Sequence, residues 1–152
     1  MYGDTEVLRR RVDQLREQAV DIRALADQLV AQTELTGWTG RAAESMSVRV
    51  AERAAHLRVA ATQHDVAADS LAKHLHDVET LQEAIADTEK RVGVLVAEAR
   101  TRLADVERRN ETAEGGVRVE PDADDVTLAA FDPPPSGHRD WLTIELPGHK
   151  AG

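Results

Sequence analysis

The stretch that decides the fold is residues 36–46, which read TGWTGRAAESM. Trp38 is one of only two tryptophans in the chain, and Gly37 and Gly40 lie on either side of it. Gly37 can take the left-handed backbone conformation that closes a helix, so a second helix can begin soon after Gly40. The sequence on both sides has helical apolar spacing and no proline, because the first proline is Pro121. We therefore predict a turn between two antiparallel helices.

The first helix is predicted from about Thr5 to Leu35. Asp4 or Thr5 can cap its start, and Glu6 lies in the first turn, where a negative charge is favourable. Apolar residues then follow a 4-3 spacing, which gives the helix one apolar face. This face is half of the predicted hairpin.

The second helix is predicted from about Arg41 to Asn110. It would be about 105 Å long, whereas the first would be about 46 Å, so the hairpin cannot cover its longer arm. Either the chain breaks near Asp87 and a third helix begins there, or another protein lies along the uncovered seam. The 4-3 repeat stays in phase past Asp87, which favours the second protein. The predicted dimer seam comprises Leu8, Val12, Leu15, Ile22, Leu29, Met46, Val50, Leu57, Leu71, Leu75, Val78 and Ile85.

The predicted fold class is all-α: an antiparallel helical hairpin over residues 4–112 that pairs into a four-helix bundle. Residues 113–137 have the acidic, Pro-rich composition of a disordered linker, and residues 138–152 form a short tail motif. Within that motif the apolar residues alternate as in a strand, but one short strand is not stable alone. Trp141 is therefore either a docking residue, on this hairpin or on a partner, or an exposed remnant. The predicted docking residues are Phe131, Trp141, Leu142 and Ile144.

Composition excludes several classes of function. A net charge of −9 disfavours binding to nucleic acid or to an anionic membrane surface. The chain has no cysteine, and no apolar stretch long enough to insert into a membrane. No phosphate loop, nucleophile motif or carboxylate pair in a pocket is recognisable, and no metal or cofactor site is expected. We therefore expect a protein that is not an enzyme.

Two roles for Trp38 follow from the turn. The indole can cover the open end of the two-helix layer, or it can lie in a groove where helices from two chains meet. Gly40 would let the turn pass close to the facing helix. The two roles are compatible, and both depend on the hairpin.

Residues 37–46, at the centre of this hairpin, resemble the WxG family of Esx-like proteins, and the resemblance covers residues 5–90. It implies a hairpin that pairs with itself or with a similar hairpin and is exported folded by a type VII secretion system. Trp38 and Gly40 would be the motif read by the partner or the export machinery. The chain would be a secretion substrate, or the dimerisation and chaperone partner of one, and would reside in the cytoplasm before export without a cleaved signal peptide.

This chain differs from the family pattern in two respects. Its only tyrosine is Tyr2, so the Tyr-x-x-x-Asp/Glu half of the export signal is missing. This argues against export of the chain alone, whereas export as a pair stays open because a partner of this family can supply the signal. Its length is similar to that of the longer secretion-associated variants. A cytosolic coiled-coil scaffold with a coincidental Trp-x-Gly is the alternative reading, as is an accessory subunit that docks a partner through its tail.

Overall fold

The computed structural model describes residues 5–113 and 115–151. It contains α1 (Thr5–Leu35), α2 (Arg41–Thr112), α3 (Ala123–Ala129) and a 3-10 helix, η1 (Arg139–Thr143). The described residues form no strand, only an isolated bridge between Leu146 and His149. The predicted all-α class is therefore confirmed.

The chain divides into two compact units within α2, between Glu79 and Thr80. The hairpin unit contains α1 and the first part of α2. The distal unit contains the remainder of α2 and the C-terminal tail, residues 115–151. Each unit has its own buried residues.

Small residues form the centre of the hairpin unit. Its buried positions recur every seven residues on both helices, as expected for two helices packed along a heptad seam. Most of them are alanines without any exposed surface, and such small side chains allow two helix backbones to approach closely. The buried residues are Val12, Ala19 and Ala26 on α1 and Ala54, Ala61, Ala68 and Leu75 on α2.

Ion pairs between α1 and α2 show that the two helices are antiparallel. The residue numbers of the partners on α2 decrease as those on α1 increase. The pairs are Arg9 with Glu79, Arg16 with Asp69, Arg23 with Asp65 and Asp27 with Arg58. The side chains of these pairs are largely exposed, so each pair contributes little stability. As in coiled coils, charges that flank the seam select the register more than they stabilise it.

Helix α2 runs without interruption from Arg41 to Thr112. The alternative of a third helix that begins at Asp87 is therefore not adopted. Residues 86–88 contain no proline or glycine, and the apolar repeat continues through them, so nothing in the backbone requires a break.

The tail differs from the disordered linker predicted over residues 113–137. Within that range the chain forms α3, and Asp122 caps this helix by accepting a hydrogen bond from the backbone N–H of Asp124 at 2.8 Å. Asp125 and Leu128 of α3 are buried. An acidic composition predicts disorder when a segment has no apolar surface to bury. Here the distal part of α2 provides an apolar face, and Arg102 on α2 pairs with Asp125.

The tail also packs on the part of α2 that extends beyond α1, where the sequence predicted a second protein. Ile85, Val92 and Ala99 on α2 are buried within the distal unit, whereas the sequence argument assigned such positions to a second protein. At Val92 the cover comes from the chain itself, since Val92 lies beside Phe131 and Trp141 of the tail. The predicted pairing into a four-helix bundle is thus not required to cover this part of α2.

Candidate binding surfaces

The turn between the two long helices is built from one side-chain bond and two unusual glycines. At the end of α1, the Oγ1 atom of Thr36 donates to the carbonyl of Thr33 at 2.8 Å. Gly37 and Gly40 have φ values of +62° and +99°, a region that side-chain-bearing residues rarely adopt. The N–H of Glu44 then donates to the carbonyl of Gly40 at 3.0 Å, which begins α2. The sequence thus fixes the turn locally.

Trp38 projects from this turn with 72% of its surface exposed. It therefore does not cover the open end of the helical layer, which was one of its two predicted roles. Within residues 5–113 and 115–151, its side chain takes part in no hydrogen bond and no aromatic ring contact. A large aromatic residue held in water on a fixed turn is typical of residues that anchor protein interfaces.

The role predicted for Gly40 needs correction. A Cβ atom added at Gly37 or at Gly40 would meet no other group within 4 Å, so neither glycine permits a close approach to the facing helix. Both are required for their positive φ values instead. The turn stands clear of its surroundings, which leaves the Trp38 indole accessible.

A second apolar surface lies on α2 of the hairpin unit, away from the buried alanines. Val48, Val59 and Val66 are each more than half exposed. Spacings of eleven and seven residues place these valines on one helical face. Val59 and Val66 also line a shallow groove of about 400 Å³ together with Arg58 and Thr62. This valine face is a second candidate contact surface.

Most residues of the predicted dimer seam are only half-buried in the single chain. Val12 and Leu75 are buried inside the hairpin unit, Ile85 is buried in the distal unit, and Met46 is 51% exposed. The others retain partly accessible apolar surface. These are Leu8, Leu15, Ile22, Leu29, Val50, Leu57, Leu71 and Val78.

The predicted docking residues of the tail pack in the distal unit. Trp141 is 4% exposed, and its indole N–H donates to the carbonyl of Pro135 at 3.0 Å. The Phe131 ring meets it edge-on, with 6.3 Å between the ring centroids. Leu142 and Ile144 are half-buried. Of the two predicted outcomes for Trp141, docking is therefore the one observed.

The backbone around Trp141 differs from the strand-like pattern read from the sequence. Residues 139–143 form the 3-10 helix η1, in which the N–H of Trp141 donates to the carbonyl of His138 at 3.2 Å. A short strand without a neighbouring strand would leave its backbone groups unpaired, whereas a 3-10 turn pairs them locally.

Asp125 and Arg102 form the strongest polar link between α3 and α2. The guanidinium donates to both carboxylate oxygens, from Nε at 3.0 Å to each and from Nη2 to Oδ1 at 2.6 Å. These hydrogen bonds hold the pKa of the Asp125 carboxyl below its usual range, although partial burial opposes the shift. The same bonds raise the pKa of Arg102. The sequence reading missed this pair because its members are 23 residues apart.

Two further contacts fix the path of the tail. The Asn110 side chain donates to the Val119 carbonyl at 2.9 Å and accepts from the Val119 N–H at 2.8 Å. Farther along, the N–H of Gly137 donates to a carboxylate oxygen of Glu89 at 3.2 Å. One local signal could have predicted an ordered tail: Pro121-Asp122 immediately before Ala123–Ala129 is a helix start with a capping residue.

Comparison of the chain with family models, curated proteins and solved structures gives no match. The functional argument therefore rests on the two units and their surfaces. Within residues 5–113 and 115–151, no three His, Asp or Glu side chains are grouped closely enough to hold a metal ion. None of the helices in this part of the chain is both long and apolar enough to cross a membrane.

Proposed function

We propose that this chain is a non-enzymatic, protein-binding hairpin of the WxG type. Its role is that of a type VII secretion substrate, or of the dimerisation and chaperone partner of one. The observation that carries the proposal is the exposed indole of Trp38, held on a turn that two positive-φ glycines define. Exposed aromatic anchors are enriched in protein interfaces.

The hairpin unit also offers the area that such an interface needs. Two packed helices bury one stripe of each, and the remaining faces stay accessible. Val48, Val59 and Val66 lie on one of these faces, and the half-buried seam leucines add apolar area beside the alanine core. These are two separate apolar faces, and exposed apolar faces of this kind are common at interaction sites.

Pairing in this proposal uses the hairpin unit alone. The partner is a second copy or a similar WxG hairpin, and its helices pack on the seam from Leu8 to Leu29 and from Met46 to Val78. Ile85 is excluded from this seam, since it is already buried in the distal unit. The resulting four-helix bundle would resemble other antiparallel bundles in its packing.

The test asks whether Trp38 is needed for partner binding or for folding. We expect Trp38→Ala to leave the circular dichroism spectrum and melting temperature nearly unchanged, because the indole buries little surface. Capture of the partner encoded beside this chain should fall about tenfold or more, the loss typical of an interface anchor. Export from an actinobacterial host with a type VII system should fall in parallel.

Two controls accompany this experiment. Val94→Ala removes a half-exposed apolar residue from the distal unit and should leave capture unchanged. Trp141→Ala removes the buried tryptophan and should lower stability. If Trp38→Ala unfolds the chain, or if capture and export both survive it, the proposed role of the turn is wrong.

The uninterrupted 72 residues of α2 favour a second candidate, a cytosolic coiled-coil scaffold. Light scattering of the chain, alone and co-expressed with its adjacent reading frame, separates the two. A scaffold should form larger assemblies whose size the neighbour does not change, whereas a WxG hairpin should form a dimer of defined size, with itself or with the neighbour. The third alternative, docking of an enzyme through the tail, has less support because Trp141 is already buried in the chain itself.

A further inference from the structure

A small groove lies in the distal unit between α2 and the tail. Its volume is about 230 Å³, and its lining is mostly apolar. Gly93 and Ala97 belong to the α2 side of the groove, and Phe131 and Trp141 belong to the tail side. None of these residues takes part in the turn around Trp38, so the groove is independent of the proposed function.

Gly93 is the feature that the fold itself does not explain. It is the single glycine inside the described helices, and glycine is among the residues least suited to a helix interior. Its backbone is ordinary, and an added Cβ would meet nothing within 4 Å. The glycine therefore serves neither a positive φ nor close packing within the chain. What it does is deepen the groove beside the aromatic rings.

Arg100 determines the charge of this groove. It is the only charged residue in the lining, and its side chain makes a single long hydrogen bond, 3.5 Å from Nη2 to the carbonyl of Ala129. A guanidinium has five donors in a planar fork that matches a carboxylate. The groove is thus apolar inside, and the exposed arginine at its lining makes no ion pair with the described residues.

The volume indicates the kind of occupant. Pockets that hold whole small molecules or cofactors measure about 300–1,000 Å³, and this one is smaller. A space of this size suits one anchoring side chain from a protein partner, the usual form of an interface hot spot. We propose that the groove receives a bulky apolar side chain of a partner polypeptide, with the carboxylate of an adjacent acidic residue paired to Arg100.

The test uses two capped dipeptides on the full-length chain. Acetyl-Phe-Asp-amide carries the proposed features, and acetyl-Phe-Asn-amide lacks only the charge. Titration monitored by ¹⁵N NMR should shift the Gly93 amide and the Trp141 indole N–H. The Asp peptide should bind about threefold more tightly than the Asn peptide, because an ion pair with the exposed Arg100 contributes only a modest free energy of binding. Arg100→Gln should abolish this preference.

A second pair of variants separates binding from folding. Gly93→Leu fills the groove with a residue that favours helix, so the melting temperature should hold or rise while peptide binding is lost. Gly93→Ala is the matched control, and it should raise the melting temperature yet retain most of the binding. The proposal requires that Gly93→Leu lose peptide binding, that Gly93→Ala retain it, and that neither variant lose stability.

Three results would overturn the proposal. The first is the absence of shifts at about 20 mM peptide, where even weak anchoring of a single side chain is detectable. The second is equal binding of the two peptides, or binding that survives Gly93→Leu. The third is 3-phenylpropionate binding about tenfold more tightly than the Asp peptide, since that would assign the groove to a small free acid.

Discussion

At the scale of single residues, the Asp125 carboxylate links the stability of the tail to pH. Its pKa is lower in the folded chain than the ordinary aspartate value of about 3.9, so the unfolded chain takes up a proton first. Its stabilising contribution is therefore fully present above that ordinary value and is lost as the pH falls through the folded value. We expect stability of the distal unit to decline below about pH 4 for this reason.

Asp125→Asn tests this directly. The variant should melt at a lower temperature than the parent chain at pH 7, and the difference between them should shrink as the pH falls toward 3. Thermal melts followed by circular dichroism at pH 7, 5, 4 and 3 provide the measurement. Asp124→Asn is the control, because Asp124 is exposed and the guanidinium of Arg102 donates to Asp125 instead. A constant difference at all pH values would contradict the assignment.

The other tryptophan offers a second residue-scale prediction. Trp141→Ala should cost the distal unit about 3 kcal/mol, as expected when a large buried aromatic side chain is removed. The loss should be local, because the buried alanines of the hairpin unit lie in a separate set of contacts. Hydrogen exchange should accelerate at residues 123–149 and remain slow at Ala54, Ala61 and Ala68. Uniform acceleration throughout the chain would show that the two units unfold together.

At the scale of elements, the two long helices were predictable and the tail was not. The absence of proline before Pro121 and the 4-3 apolar repeat are local signals, and they define α1 and α2 to within a few residues of the observed ends. The tail depends on partners distant in sequence: Asp125 needs Arg102, and Trp141 needs the α2 face beside Gly93. Composition alone therefore indicated disorder where tertiary contacts provide order.

The segment that joins α2 to α3 can be tested through Asn110. Asn110→Ala removes both hydrogen bonds to Val119, so the Val119 amide should exchange faster while the global melting temperature changes little. Each lost bond is worth about 1 kcal/mol, and alanine returns part of that through its higher helix propensity. Asn110→Asp retains an acceptor for the Val119 N–H and should protect that amide partly. If exchange at Val119 is identical in all three chains, the contact does not fix the segment.

At the scale of the whole molecule, α2 has apolar surface that α1 does not cover, as the sequence predicts, but a second protein is not needed to cover all of it. The second helix does carry more apolar seam than α1 can cover, since it has 72 residues against 31. Ile85, Val92 and Ala99 are buried in the distal unit, and Val92 lies beside Phe131 and Trp141 of the chain's own tail. The tail therefore covers apolar surface of the distal unit, whereas the proposed pairing uses the hairpin unit.

Deletion of residues 113–152 is the test at this scale. It exposes Val92, which is 1% exposed in the full chain, on a helix whose apolar repeat matches that of any second copy. Burial of that face is worth roughly 25 cal/mol per Å², so the truncated chain should associate with itself at concentrations where the full chain does not. Light scattering across a dilution series measures this.

A charge placed on the exposed face distinguishes specific pairing from a general loss of order. Val92→Glu in the truncated chain should restore the state of the full chain, because an unpaired carboxylate is costly to bury between apolar helices. In the full chain the same substitution should instead loosen the tail, with faster exchange at the Trp141 indole. The truncated chain could instead keep the association state of the full chain, with or without the added charge. That result would show that the tail covers no surface to which a second protein binds.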